Sequence, residues 1–207
     1  MAHRVRTSPR KRPRQERSRA TVDAILEATA QVLVEEGYDK TSTNRVAKRA
    51  GVSIGSLYQY FPNKEALVGE LVDRYSRQIT ELVVAELAAH ATEGPAVVAP
   101  RLVTAMIDIK RENPDLARVL RDQIPRVGRM QQYEKNLEQI IGAAAAYLAQ
   151  HRDALRVDDV QTAAFIVVHT VDAATHAGVC GSPDTLDPEV LGAHVSDLIL
   201  SYLLSGA

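Results

Sequence analysis

Ser42, Thr43, Asn44 and Arg45, followed by Ser53, Ile54, Gly55, Ser56, Tyr58, Gln59, Tyr60 and Lys64, bring hydroxyl, amide, phenol and amine groups into one short stretch, TSTNRVAKRAGVSIGSLYQYFPNK at residues 41–64. Hydroxyls beside the free N–H groups of a helix start suit a phosphate oxygen, which is the chemistry expected of Ser42 and Thr43. Asn44 and Arg45 follow in the first turn, within reach of phosphate or the edge of a groove. At the second helix start, Gly55 lets backbone approach a partner closely, Ser56 can donate to a base or a phosphate, and Ile54 can pack on a thymine methyl. Tyr58 and Tyr60 are expected to set their phenols on one rim with Gln59 between them, and Lys64 to clamp a phosphate. The alternative for both tyrosines is plain packing; for Leu57 and Phe61 the core reading wins.

Such chemistry requires a helix N-terminus held forward from a small support. The pattern predicts a helix over 43–50 that buries Val46, Ala47 and Ala50 and stops at Gly51, and a second over 54–60 capped by Ser53 and ended by Pro62. Ala47, Gly51 and Leu57 fall where a helix-turn-helix needs a small contact residue, a turn residue and a core residue. Ahead of them, Val22, Ile25, Leu26, Thr29, Val32 and Leu33 mark an amphipathic helix over 16–36, with Gly37 closing it. Behind them, a long helix over 64–91 begins after the capping Asn63. Further helices are predicted at 96–112, ended by Asn113-Pro114; 115–124, ended by Pro125; 128–151; 158–179, ended by Gly181-Ser182-Pro183; and 187–204, begun by Asp187-Pro188. The β-branched run FIVVHTV at 165–171 reads as helix, because alanines surround it and no partner strand exists. The fold class is all-α, with about nine helices.

At these residues the chain resembles the TetR family of one-component bacterial repressors. The likeness lies in Gly37-Tyr38, Thr41–Thr43, Val46–Ser53, Gly55–Phe61 and Lys64–Leu67. It implies a flexible basic arm over 1–14, a helix-turn-helix DNA-binding domain over 15–78 (the motif itself at about 42–61), and a helical regulatory and dimerisation domain over 79–207. In similar proteins the positions of Ser42, Ser53, Gly55, Ser56, Tyr58, Tyr60 and Lys64 contact DNA. Two departures stand out: Ile54 replaces a residue that is often lysine or polar, and Arg45 replaces one that is commonly acidic.

Charge distribution agrees with this division. Residues 1–64 hold 13 Lys and Arg against 6 Asp and Glu, and the rest of the chain 12 against 20, within an overall charge of −1. A basic N-terminal third suits a polyanion, and an acidic remainder avoids it. The arm, with Arg4, Arg6, Arg10, Lys11, Arg12 and Arg14, reads equally as a strand-tracking tail or as an unstructured one. Cys180 is the only cysteine, so an internal disulfide is excluded. No signal-peptide pattern and no apolar run approaching about 18 residues is evident, so the expectation is a soluble, cytoplasmic chain without a membrane role. No phosphate-binding glycine loop, H-E-x-x-H, nucleophile elbow or paired-cysteine site appears, so an enzyme is not expected, nor a cofactor.

The resemblance further implies a small organic effector held in the C-terminal half and a homodimer on a palindromic double-stranded operator. A two-fold dimer reads two half-sites where one short recognition helix reads few base pairs. The apolar faces of 158–179 and 187–204 are the expected dimer contact. Candidate pocket residues are Tyr75, Met106, Arg118, Met130, Tyr133, Phe165, His169, Asp172 and His176. The spacing of His169, Asp172, His176 and Cys180 leaves three readings open: a metal shared by adjacent pairs, the polar lining of a pocket or interface, or ordinary hydrogen-bonded side chains. No compact second ligand pair supports the first, so no metal is assigned. The rival to effector control is a constitutive or partner-controlled DNA-binding protein.

Overall fold

A computed structural model describes residues 8–9, 16–181 and 186–204. The basic arm expected over 1–14 therefore lies outside the described residues, apart from Ser8 and Pro9. Within them the chain is helical: α1 Glu16–Lys40, α2 Thr43–Arg49, α3 Ile54–Tyr60, α4 Lys64–Ala89, α5 Pro95–Arg111, α6 Pro114–Gln123, α7 Met130–Gln150, α8 Val160–His176 and α9 Pro188–Leu203. A single 3-10 turn covers Arg152–Ala154, and a π-helical turn, Ala177–Gly181, extends α8. Among the described residues the only β-type pairing is the isolated bridge between Leu155 and Leu204.

Two compact units divide the chain. The first comprises residues up to Tyr75 together with Asp115–Tyr133; the second comprises Ser76–Pro114 and Glu134 onward. This differs from a boundary at residue 78, because α6 and the turn after it join the helix-turn-helix. The physical reason is burial: Leu120, Ile124 and Val127 sit in the same apolar cluster as Ile25, Leu33, Val46, Leu57, Phe61, Leu67 and Val68.

In the first unit, α1 follows its apolar stripe, and Thr29 is tolerated at full burial because its hydroxyl donates to the Ile25 carbonyl at 2.7 Å. Gly37 adopts φ 79°, ψ 169°, which breaks the helix as expected, yet one more turn forms over Tyr38–Lys40. Thr41 secures that turn with its N–H 3.2 Å and its hydroxyl 2.8 Å from the Gly37 carbonyl. Gly51 sits at φ 67° between α2 and α3 with open space around a would-be Cβ. Backbone conformation, not crowding, calls for glycine there.

In the second unit, α5, α8 and α9 pack against one another. Segment 165–171 is helical, as read. With its π-turn, the continuous helix Val160–Gly181 spans 22 residues and is long and apolar enough to cross a membrane by length and composition, contrary to the expectation that no segment would be. It is packed on one side: Ala163, Ala164, Val171 and Thr175 are buried within the unit, while Phe165 and Ile166 are exposed. It also holds a buried cation, since Lys110 at the end of α5 is 1% exposed and donates to Asp172 Oδ1 at 3.1 Å and Thr175 Oγ1 at 2.7 Å.

Candidate nucleic-acid interface

Two serines start the two short helices of the first unit. Ser42 has extended backbone, and its hydroxyl accepts from the Arg45 N–H at 3.4 Å. Ser53 does the same for α3: its hydroxyl accepts from the Ser56 N–H at 3.0 Å and lies 2.8 Å from the Ser56 hydroxyl. Each cap fixes where its helix begins and leaves the remaining N–H groups of the first turn pointing outward. A bond of 3.1 Å between the Thr43 hydroxyl and the Tyr58 phenol then ties the start of α2 to the middle of α3. Asn44, Arg45, Ser53, Ile54, Gly55, Tyr58 and Gln59 are exposed, with Ser42, Thr43, Ser56 and Lys64 half-buried. Ile54 and Tyr58, four residues apart, share one exposed face of α3. Residues 40–64 contain no Asp or Glu, so no carboxylate interrupts this surface from within.

Two predicted contacts stand differently. Tyr60 does not share a rim with Tyr58: it is 9% exposed and belongs to the core beside Leu57 and Phe61, while Tyr58 is 40% exposed. Residues two apart on a helix project about 200° apart, so one faces out while the other faces in. Lys64 is not a free side chain. Its ammonium donates to the Tyr38 carbonyl at 3.1 Å, reaches that of Asp39 at 3.5 Å, and sits 4.5 Å from the centre of the Tyr38 ring. It thereby satisfies carbonyls left open where Gly37 breaks α1.

The basic residues of α2 are also anchored. Arg45 pairs with Glu36, and Arg49 makes two bonds to Glu35 at 2.9 and 2.5 Å. The hydrogen bond from Arg49 holds the Glu35 carboxyl below its ordinary range. The charges of Arg45 and Arg49 are thus matched by carboxylates of α1, and Lys48 and Arg49 are exposed α2 cations outside the expected contact set. Tyr38 has its phenol pushed up by burial and then by the nearby charges of Glu65 and Asp39, with Arg126 acting in the opposite sense.

The model of the bacterial regulatory proteins of the TetR family matches residues 25–71, and the tetracyclin repressor-like C-terminal domain matches residues 94–203, more than half of the chain. The chain belongs to the TetR family. It is a DNA-binding transcriptional regulator, as members of that family are. The nucleoid occlusion factor SlmA of Haemophilus ducreyi is 34% identical over 86 residues, 42% of each chain, so under half of that relative's length is matched. A solved TetR-family regulator from Mesorhizobium loti superposes with a TM-score of 0.72 at 22% identity, covering 92% of this chain and all of the other. SmeT, the repressor of the Stenotrophomonas maltophilia efflux pump SmeDEF, gives 0.68 at 25% identity over 93% and 94% of the two chains, and it has also been solved as a triclosan complex.

In this TetR-family regulator the nine candidate pocket residues divide between the two units, four in the first and five in the second. Tyr75 and Tyr133 pack half-buried against the first unit's core. Arg118 is exposed and bonded to Asp115 at 2.6 Å, and Met130 is exposed. The other five lie in the second unit. Met106 is buried, Phe165 is 53% exposed and stacks on His169 with ring centres 4.3 Å apart, and His176 is half-buried. Asp172 is engaged by Lys110. A groove of about 460 Å³ does open between α5 and α9, lined by Pro100, Thr104, Ile107, Asp108, Ser196 and Asp197 among others, and by none of the nine. Among the described residues no three His, Cys, Asp or Glu side chains come together as a metal site.

Proposed function

We propose that this regulator is a repressor that binds a palindromic operator as a homodimer in the cytoplasm and is released by a small organic effector. The observation that carries the DNA-facing half is the pair of serine-capped helix starts joined by the Thr43–Tyr58 bond, which present hydroxyls and free N–H groups from a stretch, 40–64, that contains no acidic residue. Ser42, Thr43 and Asn44 meet phosphate. Lys64 does so as well, because an ammonium has three donors and can bridge a helix-end carbonyl and a phosphate oxygen. Ile54, Gly55, Ser56, Tyr58 and Gln59 face the groove, while Tyr60 supports them from the core. Selection of binding sites from random duplex DNA tests this: enrichment of two symmetric half-sites about one helical turn, roughly 34 Å, apart supports it. Failure to enrich any motif, or enrichment of a single asymmetric one, contradicts it.

The dimer contact is assigned to α8 and α9, where Phe165, Ile166, Val190 and Leu198 stand 53, 38, 54 and 58% exposed. Large apolar side chains exposed together mark an interaction surface. Effector control operates through α4, which begins at Lys64 and runs from the first unit into the second. The effector has to bind one conformer better than the other, since tight binding alone shifts nothing. The likeness to the nucleoid occlusion factor SlmA favours a second reading, a DNA-binding protein under partner control with no small-molecule ligand. Operator titrations in the presence of organic ligands separate the two: a ligand that changes affinity supports the first.

A further inference from the structure

The turn between α1 and α2 carries an unexpected charge. Asp39, with its side chain 88% exposed, lies three residues ahead of the Ser42 cap, and its carbonyl is 3.5 Å from the Lys64 ammonium. It is the last acid before the acid-free stretch 40–64, where a carboxylate would repel an approaching phosphate. Arg126 stands against it. Its Nη1 is 3.7 Å from Asp39 Oδ1, and its guanidinium carbon is 5.5 Å from the centre of the Tyr38 ring that also receives Lys64. Arg126 is not a trailing side chain on a loose loop. On either side of it Ile124 and Val127 are buried in the core of the first unit, and Arg129 donates to Asp73 Oδ2 at 2.7 Å.

We infer that Arg126 is a positioning residue for DNA binding: it offsets the Asp39 carboxylate, so that Lys64 and the start of α2 meet a phosphate without a neighbouring anion. The inference rests on the DNA-facing reading of α2 and α3. Its physical basis is short range. Charges within about 8 Å are only partly screened at physiological salt, so an unmatched carboxylate beside Lys64 acts directly on a phosphate held there. Arg126 belongs to the stretch matched by the C-terminal family domain and Asp39 to the N-terminal one, so a change in the turn between α6 and α7 reaches the DNA surface as a change of charge.

The test uses the full chain and a duplex it has itself selected, with affinity read by fluorescence anisotropy from 50 to 200 mM salt. Arg126→Ala is expected to bind roughly two- to fivefold more weakly at low salt, the range typical of one exposed charge pair, with the deficit shrinking as salt rises. Arg126→Lys recovers most of the loss. Asp39→Asn binds at least as well as the parent, and adding Arg126→Ala to it costs nothing further, because the carboxylate to be offset is gone. Melting temperatures of all four variants stay close to the parent, whereas a packing role for Arg126 would lower them. An equal loss from Arg126→Ala with or without Asp39→Asn overturns the inference, because the arginine then acts on DNA itself or through the fold. So does an unchanged affinity in Arg126→Ala. If the parent chain selects no duplex at all, the DNA-facing reading fails and this inference fails with it.

Discussion

Replacing Asp172 by alanine isolates the cost of leaving a cation buried in the second unit. Lys110 is 1% exposed, and the partners of its ammonium include Asp172 Oδ1 at 3.1 Å, Thr175 Oγ1 at 2.7 Å and the Asp172 carbonyl at 3.5 Å. Removing one partner of a buried pair costs about 3–5 kcal/mol, mostly the penalty of an uncompensated charge. The Asp172 side chain is 24% exposed, and the Thr175 hydroxyl and the backbone carbonyl of residue 172 remain as partners, so the expectation here is lower, about 2–3 kcal/mol. Lys110→Met removes the charge, keeps the stem, and leaves a carboxylate that solvent can reach; it should cost about 1 kcal/mol or less. For a chain of this length about 2–4 °C of melting temperature corresponds to each kcal/mol, so Asp172→Ala should melt roughly 5–10 °C below the parent and Lys110→Met within about 4 °C. The double variant should sit with Lys110→Met, since the two positions act as one unit. Urea midpoints and calorimetry measure all three. Should Lys110→Met prove as damaging as Asp172→Ala, the ion pair would be holding the fold by attraction, and the reasoning would be wrong.

Four further expectations concern the site and the fold. Tyr60→Ala should destabilise by about 3–5 kcal/mol as a core truncation, while Tyr58→Phe should melt like the parent yet weaken operator binding; urea curves and anisotropy tell these apart. Lys64→Ala should flatten the dependence of log affinity on log salt by about one unit, and an unchanged slope would remove it from the phosphate set. Tyr147 donates to the Glu93 carbonyl at 2.6 Å, and burial, followed by the Glu93 charge, pushes its phenol up to about 12. The folded state therefore prefers the neutral phenol. The associated stability is complete below about pH 10, the ordinary range, and is lost as pH rises from there through about 12. A difference titration at 295 nm against Tyr147→Phe should show no ionisation of this group near pH 10. Phe165→Glu combined with Leu198→Glu should yield monomers in sedimentation and abolish cooperative operator binding, whereas a dimer that survives both charges would move the interface off α8 and α9.

Helix existence and extent were legible because this chain punctuates them chemically. Ser42 and Ser53 cap the helices they were expected to start, and Gly94-Pro95 and Asn113-Pro114 stand at the breaks before α5 and α6. Tyr60 was misread despite an available signal: Leu57, Tyr60 and Phe61 stand at the i, i+3, i+4 spacing of a buried stripe. Lys110 left a trace as well, since Val103, Met106, Ile107 and Lys110 form one stripe on α5, and a lysine on an apolar stripe needs a buried partner. The pocket could not be read. Which helix faces which is a tertiary fact, and Met106 in a core looks in sequence no different from a methionine lining a cavity. The same holds for Arg126, whose partner Asp39 lies 87 residues earlier in the chain.

The most direct test of the central claim is hydrogen exchange of the full chain with and without a duplex it has selected. Slowed exchange concentrated at residues 42–44 and 53–55, where two helix starts leave amides open to a phosphate, is the predicted result. Tight binding of that duplex with those amides exchanging as before, and protection arising elsewhere, would contradict it.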